Sequence, residues 1–330
     1  MNRRKLIAGV AAFAAAAGIG MAQPALSQEV TLRGVTFMRL DIDEVRWFKE
    51  WVEAINKDGK GLLQVRIVGG VEVMNPFELG NAVRSGVIDV AQMPPAYYQG
   101  LFPGAQAFVV AGKSPIEQRR NGALDYLNEL YHQMVNAHIL TNWGYGVPFH
   151  LYLAKNVNLD KIRNVDLSGM KLRVLPIYKP LFDALGGTSI TMNQSEVYTA
   201  LERGTVDGYG YIAQELPGQG WQQVTRYRVD PGFYNVVNLT IMNWTRLQSL
   251  SERQREFLLR KSAEVEAQWV RVTPKYVAEQ YAKQKADGLE VVTLSGAAAK
   301  KYLDLARDTG WADVKQKMPQ QYDKLRQLLN

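Results

Sequence analysis

Between Val30 and Met93, short segments with the two-residue alternation of a strand take turns with longer segments whose apolar residues recur at helical spacing, and the same alternation restarts at Lys171. Residues 30–36 read as a strand, 43–56 as a helix with Val45, Phe48, Trp51, Val52 and Ile55 on one face, and 63–68 as a strand closed by Gly69-Gly70. A helix at 76–85 and a strand at 87–93 complete a βαβαβ unit. A long amphipathic helix at 116–137 and a buried strand at 139–143 follow. The second unit reads strand 171–175, helix 178–185, strand 189–192, helix 195–203 and strand 207–211. Alternation of this kind places parallel strands beneath packed helices. Two such units predict an α/β chain of two lobes. Beyond a strand at 236–242, residues 251–286 form one helical pattern without glycine, interrupted only by Pro274, where a kink is expected. That helix is long enough to run across both lobes.

The amino terminus predicts the compartment. Arg3, Arg4 and Lys5 precede an uncharged, alanine-rich run at residues 6–21, the pattern of a secretory signal peptide. Ala25 and Ser27 suit cleavage before Gln28, and a cut after Ala22 also fits. The run is shorter than the roughly 20 apolar residues a membrane span needs. The paired arginines raise the twin-arginine route, which their flanks match only loosely. Residues 1–27 are thus expected to be removed and the rest to work as a soluble protein in the periplasm. Losing the three basic residues lowers the formal charge from +7 to +4. The remaining charges are interspersed, which argues against a nucleic-acid surface, and the modest positive balance favours anions. With no cysteine, disulfides, thiolate metal sites and thiol catalysis are excluded.

Signs of catalysis are few. No nucleophile elbow, phosphate loop, dinucleotide fingerprint or paired metal-binding histidines occur intact. Glu129 and His132 have Glu-x-x-His spacing, which would need a second carboxylate-bearing helix to hold a metal. His138 and His150 suit ordinary hydrogen bonding, and Gly208-Tyr209-Gly210 is a lone glycine pair. A hydrolase working with carboxylates alone stays open. No cofactor or metal is expected.

Residues 167–209 contain LSGMKLRVLP, then ALGG, then MNQSEVYTALERGTVDGY. This block resembles the extracytoplasmic solute-binding proteins of tripartite ATP-independent periplasmic (TRAP) transporters, the DctP-type family. There a Gly-x-Lys-x-Arg strand precedes Ser-Glu-Val-Tyr-x-Ala-Leu-x-x-Gly-x-Val-Asp-Gly. The match reaches back to FELGNAVRSGVIDV at residues 77–90. The resemblance implies a two-lobed clamp that closes on its ligand about a hinge, braced by the long helix. It divides the chain into a signal peptide (1–27), lobe I (28–148), lobe II (149–236), and a segment 237–330 that returns a strand to lobe I and supplies the bridging and C-terminal helices. It also implies a monomeric binding protein, not an enzyme, that hands a small carboxylate to membrane subunits driven by an ion gradient.

By position Arg173 matches the family's carboxylate-binding arginine, and a guanidinium offers a carboxylate two parallel donors at fixed charge. Tyr211 stands where many members carry an asparagine. Phe37, Met93 and Pro94 fall where sugar-acid binders carry polar groups, and Phe149 or His150 aligns loosely with a second cationic position. Trp143, Gln194 and Tyr209 complete the implied ligand set. A cleft with one anion clamp and aromatic walls favours an aromatic or apolar monocarboxylate over a sialic or uronic acid. The rivals are the clamp of an ATP-driven importer, a secreted hydrolase or lyase, and a sensor subunit that presents ligand to a receptor.

Overall fold

The computed structural model describes residues 28–192, 194–214 and 216–330; the expected signal peptide lies outside them. The strands are β1 (Val30–Thr36), β2 (Leu63–Gly69), β3 (Val90–Met93), β4 (Ala137–Trp143), β5 (Phe149–Leu153), β6 (Lys171–Val174), β7 (Thr188–Thr191), β8 (Gly208–Ile212), β9 (Tyr227–Asp230), β10 (Asn238–Asn243) and β11 (Glu290–Thr293). They form two sheets, ordered β2-β1-β3-β10-β4 and β11-β9-β5-β8-β6-β7. Helices cover both, giving the α/β clamp of two lobes.

Not every strand is parallel. β1 runs parallel to β2 and β3, and β6 runs parallel to β7 and β8. β10 is antiparallel to β3 and β4, and β5 is antiparallel to β8 and β9. The exceptions are the strands that follow a crossing. The chain leaves the first sheet after β4 and returns to it after β9, so β5 and β10 enter from the opposite end. The two crossings lie side by side: Phe149 N–H donates to Tyr234 O at 2.8 Å, Phe233 N–H to Phe149 O at 2.8 Å, and Val236 N–H to Val147 O at 2.8 Å. This paired connector is where a hinge would bend.

A third link is the helix Glu252–Ala286, whose 35 residues span about 52 Å at 1.5 Å each. Ser251 and Gln254 cap its start with a reciprocal pair of hydrogen bonds. Pro274 lies inside it and does not end it. Near one end Trp51 Nε1–H donates to Ser262 Oγ at 3.0 Å, fastening it to the first lobe. Near the other, Gln284 Nε2 donates to Tyr152 Oη at 2.9 Å and to Gln214 O at 2.7 Å in the second. Trp47 anchors the first core. Its ring lies 5.7 Å from Trp143 of β4, 5.7 Å from Trp269 and 5.9 Å from Tyr276 of the bridging helix. Burying each such side chain stabilises the fold by about 1.5–3 kcal/mol.

The single helix expected at 116–137 is two, Pro115–Arg120 and Ala123–Met134. Gly122 between them sits at φ +80°, a left-handed conformation that glycine adopts without steric cost. The apolar phase carries on across the break, so periodicity alone does not register it. His132 and His138 face one another, with Nε2 and Nδ1 2.9 Å apart, and His132 stacks on Trp244. Among the described residues, no cluster of three or more histidines and carboxylates is arranged to hold a metal, and no helix is long and apolar enough to cross a membrane.

Candidate functional site

Between the two sheets lies a cleft of about 550 Å³, counting its open mouth. It sits at the carboxyl ends of β1, β3, β6 and β8, where α/β sheets leave room for ligands. From the first lobe come Phe37, Glu44 and the turn Pro94–Tyr97. From the second come Arg173, Tyr178, Gln194 and Tyr211. Phe149, Val236, Val237 and Asn238 enter from the crossings and the strand ends beside them.

Among the described residues, Arg173 is the only cation lining the cleft, and it is 1% exposed. Its position on β6, between Ile190 and Tyr209 on the neighbouring strands, buries the stem. Nε donates to Met192 O at 3.2 Å and Nη1 to Tyr178 Oη at 3.0 Å. Nη2 is buried and has no hydrogen-bond partner among the described residues. Among the described residues, no carboxylate forms an ion pair with it. The guanidinium therefore presents an unsatisfied donor to the cleft, a costly arrangement unless an anion completes it.

Tyr178 holds the guanidinium in place. Its hydroxyl donates to Gly210 O at 2.8 Å while accepting from Arg173. Burial raises the Tyr178 pKa, with the Arg173 charge opposing. The close approach depends on the residue beneath it: a Cβ at Gly210 would lie 2.6 Å from the Tyr178 ring. Of the glycine pair in Gly208-Tyr209-Gly210, it is Gly210 that lets Tyr178 lie against β8, whereas Gly208 makes room for Tyr152 O and Leu153 on the neighbouring strand. Tyr211 receives a hydrogen bond from Gln194 Nε2 at 3.3 Å, and burial pushes its phenol well up.

Opposite stands Glu44, just before the helix Arg46–Asp58 and 5% exposed. Asn238 Nδ2 donates to its Oε1 at 3.3 Å. Burial pushes this carboxyl up to about 7, the Asn238 hydrogen bond opposing and Asp43 adding to the rise. Tyr97 lies within reach of both charges. Burial pushes its phenol up to about 12, Arg173 drawing it down and Glu44 pushing it up. Aromatic packing extends this wall: Phe37 lies 5.7 Å and Phe77 4.7 Å from Tyr97, ring to ring.

Of the expected ligand set, the structure brings Arg173, Tyr211, Gln194, Phe37, Pro94 and Phe149 onto the cleft. Met93, Trp143, Tyr209 and His150 lie elsewhere. Met93 is fully buried at the end of β3, and Trp143 packs on Trp47. Tyr209 stacks on Tyr152, its hydroxyl 2.7 Å from Thr225 Oγ1. His150 is held by Val229 O at 2.9 Å, Asp230 at 3.0 Å and Tyr281 Oη at 2.7 Å. Burial pushes Asp230 up, but His150 and Arg228 outweigh it and hold its carboxyl down at about 2. His150 therefore belongs to a polar anchor behind the second sheet. Glu44, Tyr97, Tyr178 and Asn238 were not expected. Glu44 reads in sequence as an ordinary acidic residue at a helix start, and Tyr178 as the opening of a helix.

The family model for the bacterial extracellular solute-binding proteins, family 7 (DctP), matches residues 44–306. A solute-binding protein of Albidiferax ferrireducens is 22% identical over 328 residues, covering 95% of this chain and 94% of its own. An extracytoplasmic solute receptor of Bordetella pertussis, solved with pyroglutamic acid, superposes at a TM-score of 0.77 with 15% identity, over 91% of this chain and 99% of that one. A TRAP solute-binding protein from an unidentified marine microbe, specific for aromatic acids and solved with 3-hydroxybenzoate, gives 0.75 with 19% identity, over 92% and 98%. Other solved relatives hold L-galactonate, sn-glycerol-3-phosphate or malonate. The shared fold therefore accommodates ligands of very different polarity.

Proposed function

Since the chain belongs to the bacterial extracellular solute-binding protein family 7, and is thus a solute receptor rather than an enzyme, we propose that it captures a small monocarboxylic acid with an aromatic or apolar body. Arg173 holds the carboxylate, and Phe37, Pro94, Phe149 and Tyr211 wall the rest. The observation that carries this reading is the buried guanidinium whose Nη2 has no hydrogen-bond partner among the described residues, facing a cleft whose described residues include no other cation. A carboxylate arriving there would complete a charge-assisted hydrogen bond, each worth about 1.5–3 kcal/mol when water is excluded.

Closure follows from the same geometry. The ligand touches Arg173 in one lobe and the Phe37 and Pro94 wall in the other, so it favours the arrangement that brings both against it. The closed, loaded monomer then delivers its acid to the membrane subunits of a TRAP transporter. Residues 1–27 act as the signal peptide that sends it to the periplasm.

The test is native mass spectrometry of gently purified protein, with denaturing release of whatever travels with it. One intact carboxylic acid per chain, absent from Arg173→Ala, is the expected result. In parallel, a ligand at 100 times its dissociation constant should stabilise the protein by about 2.7 kcal/mol, visible as a thermal shift. No bound acid and no shift across aromatic and aliphatic acids would remove this reading. A shift produced by sugar acids would overturn the ligand class.

A further inference from the structure

Arg173 explains how an anion is held, but leaves the opposite wall of the cleft unaccounted for. Glu44 is almost wholly buried there and forms no ion pair among the described residues. Its neighbour Asn238 is 0% exposed and gives its amide nitrogen to Glu44, while its Oδ1 is buried with no partner among the described residues. Two hydrogen-bond acceptors thus stand in a mostly apolar cleft, with Arg173 on the other side.

Burying a carboxyl away from cations is expensive, and an amide oxygen left unpaired adds to the cost. Apolar side chains would stabilise the empty protein better at both positions. Arg173 does not neutralise Glu44, so the space between the two charges is left for something else. A molecule spanning it meets a donor at one end and acceptors at the other.

Resting on the reading that a carboxylate binds Arg173, we infer that Glu44 and Asn238 select the ligand's far end: the acid carries an N–H or O–H donor there, as in a hydroxylated aromatic acid or a lactam acid. A purely hydrocarbon acid leaves both acceptors dry and unpaired. A dicarboxylate sets its second charge against Glu44. Sites built to hydrogen-bond a substrate donor discriminate strongly against analogues that lack it, because the buried polar groups are then left unpaired.

The experiment compares dissociation constants by calorimetry at pH 8, above the value of about 7 to which burial raises Glu44, so that its carboxylate is ionised, for matched acids: 3- and 4-hydroxybenzoate against benzoate, and pyroglutamate against cyclopentanecarboxylate. Wild-type protein should bind at least one donor-bearing acid tenfold or more tightly than its match. Glu44→Leu should collapse that ratio from both sides, weakening the donor acid and tightening the plain one, while Glu44→Gln, which keeps an acceptor oxygen, retains part of it. The wild-type ratios test the inference even if Glu44→Leu fails to fold. Equal affinities within every pair, or a ratio unchanged in Glu44→Leu, would overturn the role of Glu44 and leave the Arg173 clamp standing. Failure of every acid to bind would remove the clamp itself, and the selection with it.

Discussion

Arg173 is a cation whose hydrogen-bond partners, Met192 O and the Tyr178 hydroxyl, are neutral, and this makes a sharp prediction about stability against binding. Replacing it by Met removes a buried, partly unsatisfied charge and keeps an apolar chain along the path of the Arg stem. The empty Arg173→Met protein should be more stable than wild type, by about 1–3 kcal/mol, while binding no acid. Chemical denaturation alongside calorimetry would show both, and a destabilised variant would mean that the guanidinium braces the fold. Glu44 supplies the pH counterpart. Its folded carboxyl is raised to about 7, above the usual 4.5. Its contribution to stability is therefore fully present below pH 4.5 and is lost as pH rises through about 7. The loss is on the order of 3 kcal/mol. Melting the ligand-free protein from pH 5 to 8 should show that slope in wild type and a flatter one in Glu44→Gln; equal slopes would refute it. Neither residue stands out by its local sequence. Arg173, on an alternating strand, reads as surface, and only the long motif around it singles it out. Glu44 lies outside that motif, and nothing local says that Asn238, far along the chain, will close over it.

Strand parity explains which expected residues reached the cleft. On β5 Phe149 lines the cleft, and its neighbour His150 points to the opposite side and into the Asp230–Tyr281 anchor. Adjacent residues on a strand face opposite ways, so a loose alignment to either one cannot choose between them. Met93 and Pro94 divide similarly, the first ending a strand in the core and the second opening the turn that lines the cleft. On β8 the sequence shows a bare glycine pair, whose meaning appears only when Tyr178 is packed over Gly210. Adding a methyl there presses into the phenol ring that positions Arg173. Gly210→Ala should therefore cost about 1–3 kcal/mol of stability by overpacking. It should also weaken acid binding by more than tenfold, since Tyr178 and the guanidinium must shift together. Tyr178→Phe separates the effects, keeping the ring and losing only the hydroxyl that orients Nη1. If Gly210→Ala bound acid as wild type does, Tyr178 would not be positioning Arg173.

The alternation of strands and helices, and one long glycine-free helix, make two lobes and a brace legible in the amino-acid order itself. Two features are not legible there: the antiparallel entry of β5 and β10, and the pairing of the two crossings. Both depend on contacts between segments far apart in the chain. The brace bears on how the molecule unfolds. Midway along it, Glu266 is buried, paired with Arg119, and accepts the Asn142 N–H at 2.5 Å. Further on, Gln284 accepts from Arg228 Nη1 at 2.7 Å and donates into the second lobe. A helix whose ends are fixed in different lobes cannot unfold with one and stay with the other. Scanning calorimetry should accordingly show one endotherm. Arg119→Ala removes the cation from a buried carboxylate, which costs about 3 kcal/mol, the low end of such losses because Arg119 is 26% exposed. Burial already raises the Glu266 pKa against the pull of Arg119, and without that pull it rises further. The variant's deficit should thus be smaller at acid pH, where Glu266 protonates, and grow as pH rises. The whole endotherm should move down together. If Arg119→Ala split it, the first lobe melting early and the second where it did before, the helix would be a passenger on two independent domains. Closure would then depend on the paired crossings alone.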